Sequence, residues 1–195
     1  MLLGTGDHEP ADPHLLGSGA ASANDAIFIA SFAEFYRIHH GKIASALALT
    51  FGDAELGREA TDEAMTRAFD RWGTVSGHSN PAGWVYRVGL NWGRSWFRRA
   101  ARRLPWIEAN STELPDTADP ALRAALLDLD HKYRAVVVCR YFLDWSTERT
   151  SAALDIPTGT VKSRLHHALA ELRSELEPTD AATTEPNTAP QRTDR

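Results

Sequence analysis

The 195-residue chain is poor in several residue types, and each shortage narrows what it can be. It has a single cysteine, Cys139, so no internal disulfide and no cysteine-rich zinc site can form. Cys139 follows the apolar run Val136, Val137, Val138, which predicts a buried thiol. No apolar run approaches the roughly 20 residues that cross a bilayer. The first 26 residues hold no Lys or Arg with which to start a signal peptide. These shortages predict a chain without membrane insertion that stays in the cytoplasm. Period-two alternation of apolar and polar residues is also missing, which predicts no strands. No glycine-rich phosphate loop, nucleophile elbow or separated carboxylate pair is present, so the sequence argues against an enzyme and against a bound cofactor. Of the eight histidines, His39-His40 and His166-His167 are adjacent pairs without carboxylates at ligand spacing, and His8 and His14 lie near the start. That pattern argues against a metal site.

The charge is sorted into blocks. Of the formal net charge of −5, residues 1–26 carry −4 and residues 177–195 carry −2, leaving +1 for the rest. Residues 84–103 hold six arginines and no acid, whereas residues 104–130 hold six acids against one arginine. Where a polyanion docks depends on such local sorting more than on net charge.

Hydrophobic spacing predicts an all-α protein of two small helical domains joined by a flexible acidic linker, the second containing a helix-turn-helix. Residues 1–25 and 177–195 are rich in small and polar residues without apolar periodicity and read as disordered tails. A first domain spans 26–103. Ile27, Phe28, Phe32, Phe35, Tyr36, Ile43, Leu47 and Phe51 recur at helical spacing, followed by Ala60, Ala64, Ala68 and Trp72. Asn80-Pro81 predicts the cap and first position of a further helix running to about 103. Residues 104–120 carry three prolines and four acids and form the linker. The second domain, 121–176, shows short helices near 120–127 and 131–143, then a pair near 146–154 and 158–176.

That last pair has the layout of a helix-turn-helix: Ser146 caps a short helix, the chain breaks at 155–157, and Val161, Leu165, Ala168 and Leu172 line one face of the second helix. Thr158, Thr160, Lys162, Ser163, Arg164 and His167 then lie near its start, outside the apolar stripe, where side chains reach base edges and phosphates. Lys162 or Arg164 taken alone fits a solvated charge on an ordinary helical hairpin better than a DNA contact. The run Gly159-Thr-Val-Lys-Ser-Arg-Leu, however, resembles the DNA-reading helix of bacterial sigma factors closely, and that of LuxR-type regulators more loosely. Leu129, Tyr133, Arg134, Val137, Arg140 and Tyr141 resemble the helix that precedes it in sigma factors.

The first half separates a sigma factor from the alternative, a stand-alone helix-turn-helix regulator that does not bind core polymerase. Residues 55–72 resemble the family's polymerase-binding helix, D-x-x-Q-E-x-F-x-R-A-W, with Glu59, Asp62, Glu63, Arg67 and Phe69 at its polar and aromatic positions and Asp62 standing where Gln is usual. Read without the family, the same face is a set of i, i+4 ion pairs such as Glu63 with Arg67. Asn80-Pro-Ala-Gly-Trp-Val-Tyr-Arg-Val-Gly-Leu-Asn resembles N-P-x-x-W-L-x-x-I-x-x-N, and an arginine cluster follows it. Arg94, Arg98, Arg99, Arg102 and Arg103 suit the backbone of a strand being opened. Trp84, Val88 and Trp92, spaced by four, suit a core better than base stacking.

These motifs together resemble the extracytoplasmic-function (ECF) subfamily. The resemblance implies core RNA polymerase and promoter DNA as partners, with an anti-sigma factor as a further partner to consider. It implies that Glu59, Asp62, Glu63 and Arg67 meet the polymerase, and that the second domain reads the minus-thirty-five element. The first domain would melt the minus-ten element, with the segment 73–80, including Ser79 and Asn80, receiving a flipped base. Asn80 is equally a plain helix cap. Thr150, Ser151, His167 and Leu169 depart from the family's usual residues.

Overall fold

In the computed structural model, residues 23–103 and 119–177 are described, and all of the regular structure among them is helical. The tails 1–22 and 178–195 and the linker segment 104–118, on which the disorder and linker expectations fall, lie outside the described residues.

The first half opens with α1 (Ala23–Phe51). Its early residues Ile27 and Ile29 are exposed, and its burial begins in earnest at Ile43, Ala46, Leu47 and Leu49. The chain turns at Gly52-Asp53, where the Asp53 carboxylate accepts from Leu56 N at 2.9 Å and so caps α2 (Ala54–Asp70). Ala60, Ala64 and Ala68, spaced by four, are fully buried, and this small-residue stripe lets α1 pack closely on α2. At Gly57 the approach is backbone to backbone: a Cβ there would stand 2.5 Å from Ala48 Cα. The single-turn α3 (Trp72–Val75) was not predicted; it folds Trp72 back so that its indole N–H donates to Ser31 Oγ at 3.2 Å. α4 (Pro81–Arg103) then crosses the hairpin, with Gly89 set against the carbonyl of Ala60. Its buried stripe is Ala82, Val85, Tyr86 and Leu90, one position round from the predicted set; Trp84, Val88 and Trp92 are half-buried on its flank.

The second half comprises α5 (Pro120–Asp128), α6 (His131–Val137), α7 (Thr147–Leu154) and α8 (Thr158–Leu176). Asp119, Asp130 and Ser146 supply side-chain caps for α5, α6 and α7. The expected helix over 131–143 is interrupted: after Val137 the hydrogen bonding widens to a π-helical turn, Val138–Phe142, which ends before Asp144 at φ 54°. α7 closes on Asp155 in the left-handed region, φ 57°, and α8 starts three residues later. Cys139 is fully buried, and its thiol is pushed up to about 12 by that burial.

The two halves share one apolar core. Arg134 of α6 ties them together: its guanidinium donates to the carbonyls of Leu127 (2.5 Å) and Leu129 (2.9 Å) at the end of α5, and to that of Thr50 (3.3 Å) near the end of α1. Carbonyls at helix ends lack intrahelical donors, so one buried cation satisfies acceptors on both sides of the seam.

Candidate functional site

The residues singled out in the sequence fall on three surfaces. On α2, Glu59 is exposed and Asp62 and Glu63 are half-buried. Arg67 grips Glu63 through Nη2 at 2.7 Å. Asp62 has two partners: His40 Nε2 of α1 at 2.7 Å and Arg58 Nη1 at 3.7 Å. Tyr36 stacks on the His40 ring with centroids 4.5 Å apart. The face therefore extends onto α1, a continuation that the sequence pattern of α2 alone gave no means of finding. Below it, Phe69 lies edge-on to Phe32 (5.0 Å) and Phe28 (5.6 Å).

The second surface belongs to α4. Asn80 caps it, its Oδ1 accepting from Gly83 N at 3.0 Å, while the adjacent Ser79 is exposed. Arg98 and Arg99 are exposed on the C-terminal half; α4 runs on through Arg102 and Arg103, whose side chains lie outside the described residues. Arg94 differs from its neighbours. It is half-buried, its Nε has no hydrogen-bond partner, and burial followed by the cations Arg164 and Arg98 pulls its pKa down.

The third surface is the start of α8. Thr158, Lys162, Ser163 and His167 are exposed, and Thr160 and Arg164 are half-buried. Ser163 donates to Thr160 O at 3.1 Å. His167 lies 6.1 Å from the Tyr133 ring, which also carries Lys132 Nζ at 4.8 Å from its centroid. Val161, Ala168 and Leu172 anchor the opposite face of α8 in the core, so the polar residues are held outward by packing. Ser151 of α7 donates to Ile156 O at 2.6 Å and closes the turn between the two helices.

A cleft of about 550 Å³ runs between α4 and the second half, lined by Arg87, Arg94, Lys132, His131 and Arg164 with Asp155 as its one acid. Lys132, His131 and Arg87 were missed in the sequence, because only the fold brings them beside Arg94 and Arg164. No group of three metal-ligating side chains occurs among the described residues, and no helix among them is long and apolar enough to cross a membrane.

A helix-turn-helix whose outward face is cationic, joined to a helical domain with an arginine-rich helix, defines a class of DNA-binding transcription protein. The family model described as "Sigma-70, region 4" matches residues 120–172. The RNA polymerase sigma-E factor of Streptomyces avermitilis is 35% identical over 162 residues, covering 78% of this chain and 88% of that protein. The ECF RNA polymerase sigma factor SigL of Mycobacterium tuberculosis is 30% identical over 172 residues, 82% of this chain and 94% of that protein. Two solved structures share the fold. One is the sigma factor RpoE of Bartonella quintana in complex with the anti-sigma factor NepR (TM-score 0.66, 16% identity, 76% of this chain and 98% of that one). The other is CnrH in complex with the cytosolic domain of CnrY (TM-score 0.54, 24% identity, 75% and 87%). The chain belongs to the ECF family of RNA polymerase sigma factors. Because its relatives match across both halves and not through the helix-turn-helix alone, the stand-alone regulator is set aside.

Proposed function

We propose that this sigma factor binds core RNA polymerase through the α1–α2 face and directs initiation at promoters whose minus-ten element is opened by α4 and whose minus-thirty-five element is read by α8. It acts in the cytoplasm by binding and positioning, with no chemistry of its own. The observation that carries the reading is the joint presence, on one chain, of a polar face on α2 suited to a protein partner and two separate arginine-bearing faces, on α4 and α8, suited to DNA.

In this reading Glu59, Asp62, Glu63 and Arg67 meet the polymerase. Arg98 and Arg99, with Arg102 and Arg103, hold the phosphates of the melting region, where each cation releases counterions and makes affinity salt-dependent. Ser79 and Asn80 offer hydrogen-bonding groups to an unstacked base, whose extrusion costs a few kcal/mol that a phosphate grip offsets. Thr158, Thr160, Lys162, Ser163, Arg164 and His167 form the reader of the upstream element. The structurally similar RpoE is in complex with the anti-sigma factor NepR, and such an inhibitor is a natural partner here too. The test is a pull-down with core polymerase: Asp62→Lys with Glu63→Lys is expected to weaken association while circular dichroism stays unchanged. Undiminished association would remove the α1–α2 face from the reading.

A further inference from the structure

We propose that the cationic cleft beside α4, together with an apolar cavity that adjoins it, is a binding site for a nucleoside polyphosphate, with the base in the cavity and the phosphates on the cations. The site stands on its own geometry and does not rest on the assignment of α4 and α8 to DNA.

The apolar cavity has a volume of about 470 Å³ and is walled by Phe51, Leu90 and Phe97. Phe51, the last residue of α1, packs over Gly93 of α4, where a Cβ would strike its ring. Phe97, one helical turn further along α4, stands edge-on to Phe51 with centroids 5.9 Å apart and keeps 37% of its surface exposed. Arg94 and Arg134 also line this cavity, and each has a buried Nε–H without a hydrogen-bond partner among the described residues. A buried N–H without an acceptor is costly, and two of them in one cavity point to a ligand that brings acceptors. Aromatic walls beside such donors suit a flat ring carrying acceptors of its own. An acyl chain would cover the phenyl rings and leave both Nε–H groups unsatisfied.

The charged half of the ligand follows from the cleft. Leu90, Arg94 and His131 line both the cavity and the 550 Å³ cleft, so the two spaces meet along them. Two of the cations on the cleft have acids of their own: Arg87 meets Asp155 at 3.5 Å, and Lys132 meets Asp130 at 3.0 Å. Arg94 and Arg164 form no ion pair among the described residues, and Arg164 disfavours the charge on Arg94. Two unpaired guanidinium groups brought together from α4 and α8 are compensated only by a ligand with at least two negative charges. Their planar forks match phosphate oxygens, and a single carboxylate would leave one of them unpaired. Arg94, common to both spaces, lies where the nucleoside joins its phosphate chain. Arg164 belongs also to the proposed reader of the upstream element, so nucleotide and promoter exclude each other at that side chain; this consequence alone rests on the functional reading.

The test titrates the full chain, without polymerase, with ATP and with GTP by isothermal titration calorimetry. Tripolyphosphate, adenosine and guanosine are the comparison probes. At least one nucleotide is expected to bind at a single site, about tenfold or more tighter than tripolyphosphate and than its own nucleoside. Arg94→Gln with Arg164→Gln is expected to weaken nucleotide and tripolyphosphate alike by about tenfold or more. Phe97→Ala is expected to weaken the nucleotide and leave tripolyphosphate unchanged. All three side chains are at least partly exposed, so these variants keep the core, and unchanged circular dichroism checks that they do. No binding of either nucleotide at millimolar concentration would overturn the proposal. So would tripolyphosphate binding as tightly as the nucleotide, or nucleotide binding indifferent to all three substitutions. Tighter binding of a short single-stranded oligodeoxynucleotide than of any mononucleotide, lost in the same variants, would also overturn it, by giving the cleft to DNA. None of these titrations involves polymerase, so their failure is distinguishable from a failure of the functional reading, which would appear as no binding to core enzyme.

Discussion

Thr150 is fully buried on α7, and its hydroxyl has no hydrogen-bond partner, whereas the equally buried Thr50 and Thr61 donate to the carbonyls of Ala46 and Gly57, each at 2.8 Å. A buried hydroxyl without a partner keeps its desolvation cost and gains nothing in return. Thr150→Val, which preserves the shape, is expected to stabilise the fold by about 1 kcal/mol and raise Tm by roughly 2–4 °C, read by thermal unfolding. An aliphatic residue is usual at this point of the family's motif, so the sequence flagged the position, but only the packing shows its cost. Arg164 is the corresponding test of function. Arg164→Ala is expected to cost about 1–3 kcal/mol in promoter affinity at the one base pair it reads, measured with holoenzyme on single-substitution promoters. A loss spread evenly over all sequences would place the guanidinium on phosphate.

At the scale of elements, the close crossing of α1 and α2 depends on the missing side chain of Gly57. Adding a Cβ drives it into the Ala48 backbone, which cannot move without displacing α1. Gly57→Ala is therefore expected to destabilise the protein by roughly 2–3 kcal/mol, despite the better helix propensity of alanine, with the loss visible in urea unfolding. An unchanged midpoint would mean the two helices can separate freely. The helices α2, α5 and α8 were legible from apolar spacing and α7 also from its cap, since Ser146 bonds its own first-turn amide locally, whereas the caps Asp53 and Asp119 emerged only in the structure. The π-helical turn at Val138–Phe142 was not, because the wider hydrogen bonding keeps the same run of apolar residues and leaves no break in the pattern.

For the whole molecule, the seam links stability to pH. His131, on the cleft, is held below its usual 6.5 by partial burial first and then by Arg94, with Arg134 and Lys132 adding to the effect and Asp130 pulling the other way. His39 is lowered as well, again by burial first and then by Arg149 and Lys42. The unfolded chain thus binds protons more readily than the folded one just below pH 6.5, so the contribution of these histidines is complete above that pH and is lost as pH falls through their folded values. The lowered carboxylates Asp130, Glu34 and Glu148 act below their ordinary values of 3.8 to 4.5 and leave this window clear. Tm should decline between about pH 7.5 and 5.5, and His131→Gln should flatten part of the decline. An identical profile in wild type and variant would remove His131 from this account.

The sequence by itself determined the helical class, the caps at Asn80 and Ser146 and the helix-turn-helix, because each is written in spacings of three or four residues or in a local motif. It also determined the family, through motifs in both halves. Tertiary structure alone decided which face of α4 is buried, that Asp62 pairs with His40 from another helix, and that Arg94 leaves the exposed arginine row for a cleft shared with Arg164. Those outcomes depend on contacts between residues 22 to 84 positions apart, such as His40 with Asp62 and Arg134 with Thr50, and no local periodicity encodes the packing that sets them.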